Sequence, residues 1–112
     1  MIAFNRTRGG QVAAQVVRAD NAWTRAKGLL GRASMAPEEG MWIEPCAMIH
    51  MFFMAFAIDV VFLDSSLKVV RVVESIQPWR VSPWVPQARS VLELAAGAAA
   101  GKVAVGDQLE IK

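Results

Sequence analysis

The chain has no tyrosine, one cysteine and one histidine in its 112 residues. A lone cysteine cannot close an internal disulfide, so the fold does not depend on an oxidising compartment. One Cys and one His also leave a tetrahedral zinc site short of its three or four ligands, and neither a metal nor another cofactor is expected. Excess charge of one sign is missing as well: 12 Lys and Arg face 10 Asp and Glu. The arginines are scattered rather than clustered, so a nucleic-acid partner is not expected. Long apolar runs are absent. Arg6 and Arg8 interrupt any signal-peptide core at the N-terminus. The apolar stretch 46–58 falls well short of the roughly 20 residues a spanning helix needs. A cytoplasmic protein without a membrane span is the expectation. The phosphate-cradling glycine loops, Gly-x-Ser-x-Gly and His-Glu-x-x-His are all missing, which removes most common catalytic constellations.

What is present is a hydrophobic chain, 54% apolar and 20% charged. That composition excludes intrinsic disorder and gives a chain of this length a real core. Its length suits a single domain over residues 1–112. Residues 3–7 and 11–18 flank Arg8-Gly9-Gly10, and the glycines supply the positive φ values of a tight hairpin turn. Ala22, Trp23, Ala26, Leu29 and Leu30 then fall on one helical face, capped by Asp20 or Asn21 and ended by Gly31. Residues 36–40 read as a turn and 41–44 as a strand. The apolar stretch 48–63 reads as two strands with a bend near 55–57. Asp64-Ser65-Ser66 is a turn. Residues 67–76 carry Val69, Val70, Val72 and Val73, with apolar residues on both faces, so both sides of this strand are expected to be covered. Pro78, Pro83 and Pro86 keep 77–87 out of any central strand. Strands at 90–94 and 108–112 flank a short helical turn at 97–102. The fold class is mainly β (α+β by count). It is read as a compact β-barrel-like domain of about seven short strands with one or two short helices.

Several of these segments carry a family pattern. Gly28-Leu29-Leu30-Gly31-Arg32, Glu39-Gly40-Met41, 46–64, Gln77-Pro78-Trp79-Arg80, Val91-Leu92-Glu93-Leu94 with Gly97, and Gly106-Asp107 are similar to the domain-of-unknown-function family 192 (DUF 192). The most specific part is Ile49-His50, then Phe53-Met54, then Ile58 to Asp64. The resemblance implies a small β-rich domain of bacteria and archaea with no established reaction. Against the family pattern, Met51 stands where relatives usually carry Thr and Ala55 where they carry Arg. Ala57 and Ala96 replace usual prolines. The resemblance thus implies a hydroxyl and a cation beside His50 that this chain lacks.

His50 is the one side chain whose ordinary titration lies near neutrality. Cys46, four residues earlier, pairs with it on paper as a nucleophile and base or as half a metal site, although free cysteine is commonly just a small buried hydrophobe. Asp59 can orient His50 as a catalytic partner, or the two can form a buried polar pair that pins adjacent strands. Trp79, Arg80, Trp84 and Arg89 lie in a proline-stiffened segment. Tryptophan and arginine are typical contact anchors, and the forked guanidinium suits carboxylate or phosphate. The competing reading has both indoles covering the core. Arg32 either joins this ligand site or neutralises a helix C-terminus. Glu93 needs a partner if buried, with Arg89 or Arg80 available. Gly40, Gly97 and Gly106 read as turn residues.

These residues order three functions. The first is a non-catalytic binding module, with a cleft near the His50 strand and the Trp79-Arg80 loop taking an anionic or sugar-like ligand or a peptide. The second is a structural or interaction protein forming a homodimer. The third is an enzyme using His50 with Asp59 or Cys46.

Overall fold

The computed structural model describes residues 1–20, 29 and 31–112. Eight strands occur among them: β1 (Ala3–Asn5), β2 (Gly10–Ala13), β3 (Gln15–Ala19), β4 (Glu39–Ile43), β5 (Ile58–Leu63), β6 (Val69–Ile76), β7 (Ser90–Ala95) and β8 (Leu109–Ile111). They form a three-stranded sheet in the order β2-β1-β8 and a five-stranded sheet in the order β3-β4-β7-β5-β6. All pairings are antiparallel except β3 with β4. The domain is therefore mainly β, as its turn-punctuated apolar runs indicate.

The sheets do not close into one barrel. The chain crosses from one to the other at Ala14, between β2 and β3, because the Ala14 and Gln15 amides turn away to the Glu38 carbonyl. Further links between the sheets are a bridge between Lys68 and Gln108, backbone hydrogen bonds from Val69 to Asp107, Gly106 to Val69 and Leu109 to Leu67, and hydrogen bonds between Met1 and Val16.

Strands β5 and β7 are buried along their whole length. Phe62, Leu63, Leu92 and Leu94 are fully enclosed there, and fully burying such a side chain contributes about 1.5–3 kcal/mol. The valine-rich β6 is instead an edge strand. Only Val69 and Ile76 at its ends are buried, while Val70, Val72 and Val73 are half-exposed. β propensity marked the strand correctly, but propensity does not distinguish a central strand from an edge. The first hairpin forms as expected, with Gly9 at a φ of 73°. Asp64 makes the expected turn, its Oδ1 accepting from the Ser66 and Lys68 amides. The helix expected over 22–30 lies outside the described residues save for Leu29, which is buried. Residues 96–102 form successive turns that include the expected helical turn, the Val103 amide donating to the Ala99 carbonyl (3.1 Å).

Gly40 is not a turn residue. It lies inside β4, where an added Cβ would sit 3.2 Å from Leu92 Cδ1 and 3.3 Å from both Ala13 Cβ and Val16 Cγ2. Three buried neighbours from three strands cannot all retreat. Gly40→Ala is expected to destabilise the domain by about 1–3 kcal/mol, read as a lower urea midpoint at unchanged slope.

Two buried polar centres tie the loops down. Asp59 Oδ1 accepts from the Ser75 amide (2.9 Å) and Oδ2 from the Ala99 amide (3.0 Å). Asp107 Oδ2 accepts from Asn5 Nδ2, Arg8 Nε and the Ala104 amide, and Asn5 also donates to the Lys102 carbonyl.

Several carboxyls are held below their ordinary range. Asn5 and Arg8 lower Asp107, Arg32 lowers Glu39, the Lys68 amide lowers Asp64, and Lys112 with Arg6 lowers Glu110. A depressed folded-state value stabilises the fold above the unfolded value and stops doing so as pH falls through the folded one. The melting temperature should therefore be flat down to about pH 5 and drop below about pH 4, measured by calorimetry across that range.

Candidate functional site

The stretch 48–57 does not form the strand expected there. Proline and small residues flank it, and its hydrogen bonds go to a distant partner, residues 79–89. The two segments make an irregular antiparallel ribbon. The Cys46 amide donates to the Arg89 carbonyl (2.9 Å), Val85 to Ala47 (2.9 Å) and Ser82 to Ile49 (2.9 Å). His50 bridges Val81. Met51 donates to the Arg80 carbonyl (2.7 Å), and its own carbonyl accepts from Trp79 (2.8 Å). Ser82 Oγ adds a cross-link by accepting from the Ile49 amide.

Side chains sort by alternation. Ile49, Met51 and Met54 from one segment, with Ser82 and Val85 from the other, are buried. The residues between them face outward. Six of the eleven exposed large hydrophobic residues among those described lie on this ribbon: Met48, Phe52, Phe53, Trp79, Val81 and Trp84. Phe53 and Trp84 are each 70% exposed and Trp79 is 59% exposed, so the reading that both indoles cover the core does not hold.

The rings form a continuous array. His50 stacks on Phe52 at 4.8 Å between centroids, Phe52 lies 6.1 Å from Trp79, and Phe53 meets Trp79 edge-on at 4.9 Å. The Phe52 amide donates to His50 Nδ1 (3.3 Å), which places the proton of the neutral ring on Nε2. Phe53 and Trp79 also hold left-handed backbones, with φ of 66° and 68°. Bulky residues rarely adopt that region, and it costs each about 1–2 kcal/mol. Two strained, exposed aromatics in mutual contact are a costly way to build a loop whose only task is to cover a core. One consequence is measurable: Trp79→Gly should be more stable than Trp79→Ala by about 1 kcal/mol in urea unfolding, because glycine adopts the left-handed backbone freely.

The remaining candidates fall into place around the ribbon. Arg80 and Arg89 are exposed on it, and neither guanidinium makes an ion pair among the described residues. Arg6, Arg8, Arg18 and Arg32, by contrast, are all paired with carboxylates. Arg32 binds Glu39 at 2.9 Å at the start of β4, towards the β3 edge of the sheet, whereas Trp79 follows β6 at the other edge. Arg32 is thus not brought to the ribbon. Asp59 is fully enclosed, with both oxygens held by backbone amides of 75 and 99, so it does not orient His50. Cys46 is half-buried at the far end of the ribbon, its thiol donating to the Met48 carbonyl (3.1 Å). Glu93 is buried in β7.

Among the described residues, no group of three or more His, Cys, Asp and Glu is placed to hold a metal ion, and no helix is long and apolar enough to cross a membrane. Two concavities lie away from the ribbon. An open one of about 500 Å³ is lined by Ile2, Phe4, Arg6, Gln11, Glu110 and Lys112 on the three-stranded sheet. One of about 150 Å³ lies beside Arg32 and Glu39. The sequence reading missed Met48, Phe52, Phe53 and Val81. The adjacent pair Phe52-Phe53 was the available signal, since an irregular segment that buries Met51 and Met54 cannot also bury everything between them.

The same architecture occurs in solved structures. A protein of unknown function from Novosphingobium aromaticivorans superposes with a TM-score of 0.80 at 24% identity, covering 98% of this chain and 82% of that one. A protein from Sinorhizobium meliloti, described as a candidate transcription regulator, gives 0.79 at 26% identity, covering 97% and 89%. In sequence, the chain is 36% identical over 104 residues to a UPF0127 protein of Thermococcus sibiricus, covering 84% of this chain and 63% of that one. It is 50% identical over 44 residues to one from Pyrococcus horikoshii, covering 39% and 36%. The chain thus spans less than two-thirds of the length of these curated relatives. The family DUF192, described as "Uncharacterized ACR, COG1430", matches residues 3–111, and the chain belongs to that family of uncharacterised proteins.

Proposed function

We propose that this domain is a non-catalytic binding module and that the ribbon of residues 46–57 and 77–89 is its contact surface. The observation that carries the reading is the array His50, Phe52, Trp79 and Phe53, held outward on a strained backbone beside Arg80 and Arg89, which make no ion pair among the described residues. Flat ring faces suit sugar rings, aromatic groups and apolar chains, while exposed guanidinium groups suit carboxylate or phosphate. The partner is therefore anionic with an apolar or flat face, a chemistry that sugar phosphates, aromatic acids and acidic peptides share. Three stiffening prolines reduce the entropy lost on contact.

The enzyme alternative has less support, because the carboxylate expected to orient His50 is committed to two backbone amides. A nucleic-acid role also has little, since most of the described arginines are already bound to carboxylates.

Titration with phenyl phosphate, glucose 6-phosphate and an acidic peptide tests the reading. At least one should bind, and Trp79→Gly combined with Arg80→Gln should weaken that binding at least about tenfold. Binding by none of the three overturns a small anionic ligand as the partner, and binding indifferent to both substitutions overturns the ribbon as the contact surface.

A further inference from the structure

We propose that the surface the ribbon docks on is an anionic lipid bilayer, an inference that rests on the contact-surface reading above and names its partner. Three observations support it. The first is shape. The ribbon's aromatics project outward, with Phe53 and Trp84 each 70% exposed. A small ligand is normally enclosed on most of its surface, whereas projecting side chains suit a broad, yielding partner that closes around them.

The second is residue type. Two tryptophans, two phenylalanines, a methionine and a valine share this face. Tryptophan and phenylalanine are side chains that enter the boundary between headgroups and acyl chains, and the indole N–H remains available to the headgroup layer. The strained backbones at Phe53 and Trp79 hold these rings away from the core before any contact is made.

The third is charge. Residues 45–57 and 77–89 contain no Asp or Glu, and the two charges they do contain are Arg80 and Arg89. Both lack an ion pair among the described residues, although four other arginines have one. A cationic apolar face without carboxylates is complementary to phosphate headgroups above acyl chains. A cationic partner is repelled by Arg80 and Arg89, and a net-neutral one gains less from them than an anionic one.

Pelleting with sucrose-loaded vesicles tests the proposal, using phosphatidylcholine alone and an equal mixture with phosphatidylglycerol. The protein should pellet with the mixed vesicles and much less with the neutral ones, and added salt should weaken the binding. Each of Arg80→Gln and Arg89→Gln should weaken it about fivefold, the worth of one basic side chain at an anionic surface. Trp79→Gly with Trp84→Ala should weaken it at least about tenfold. Arg71→Gln, on exposed β6 away from the ribbon, serves as the control and should change it less than about twofold. Matching circular dichroism and melting temperatures establish that the variants are folded, and glycine at 79 avoids backbone strain.

Failure to pellet with either vesicle overturns the proposal, as does pelleting that ignores the ribbon substitutions or is equal on both lipids. A dimer in sedimentation equilibrium that the Trp79 and Trp84 substitutions dissolve, without vesicle binding, would assign the face to a second copy of the chain and overturn it too. If vesicles fail while the small anionic probes still bind at the ribbon, the lipid inference alone falls. If both fail, the underlying reading falls with it.

Discussion

Asp59→Ala should cost about 2–5 kcal/mol, among the largest single-residue effects in the domain. The carboxylate lies in interior strand β5 with no exposed surface, and it satisfies two backbone amides, Ser75 near the end of β6 and Ala99 in the turns after β7. Alanine leaves the buried Ala99 N–H without an acceptor, at about 1–3 kcal/mol, and the part-buried Ser75 N–H at less, on top of the cavity it opens. Ser75 has a further dependence, since its left-handed φ of 52° falls where the β5–β6 register shifts. Asp59→Asn keeps one acceptor but turns its NH₂ group towards the other amide, so it should recover only part of the loss. Urea unfolding of the three proteins checks this. A drop below about 1 kcal/mol for Asp59→Ala would show that water or a shifted loop takes over both amides. Domains of this kind are stable by only about 5–15 kcal/mol, so the expected loss brings the fold close to its limit.

Met51→Ala should act twice. Met51 is fully buried, and truncating a buried methionine to alanine costs about 2–5 kcal/mol through lost burial and the cavity left behind. Its backbone is also the hinge of the ribbon, donating to Arg80 and accepting from Trp79. Loosening that side chain should free the Phe53–Trp79 edge contact, so near-ultraviolet circular dichroism should lose aromatic signal even where far-ultraviolet dichroism is retained. Val85→Ala, which removes a buried side chain from the facing segment, should lose stability by a smaller amount and leave more of the ring signal. An unchanged near-ultraviolet spectrum in Met51→Ala would mean that the rings hold their arrangement without the anchor beneath them.

How much of this was legible beforehand depended on range along the chain. The hairpin at Gly9, the turn at Asp64 and the strands β4, β6, β7 and β8 follow from turn residues and β-branched runs, which act over a few positions. Trp79, Arg80, Trp84 and Arg89 were legible as a contact segment because prolines keep it out of the sheet. The fate of 48–57 was not legible. Its apolar run reads as a strand, yet its hydrogen bonds go to residues some thirty positions later, and only that pairing decides which side chains face out. Asp59 beside His50 looked like a catalytic pair for the same reason. The amides that claim the carboxylate belong to residues 16 and 40 positions away. Gly40 shows the converse error, where a residue that usually marks a turn was selected by three side chains packed against it.

The most direct test of the central claim is fluorine NMR of 5-fluorotryptophan-labelled protein, with Trp23, Trp42, Trp79 and Trp84 assigned by single substitution. Titration with phenyl phosphate and with anionic vesicles should shift or broaden the Trp79 and Trp84 resonances. Trp42 should stay in place, because it lies in β4 with its indole N–H on Ser90 Oγ. Resonances at 79 and 84 that ignore both additions, or a response confined to Trp42, would contradict the assignment of the ribbon as the binding surface.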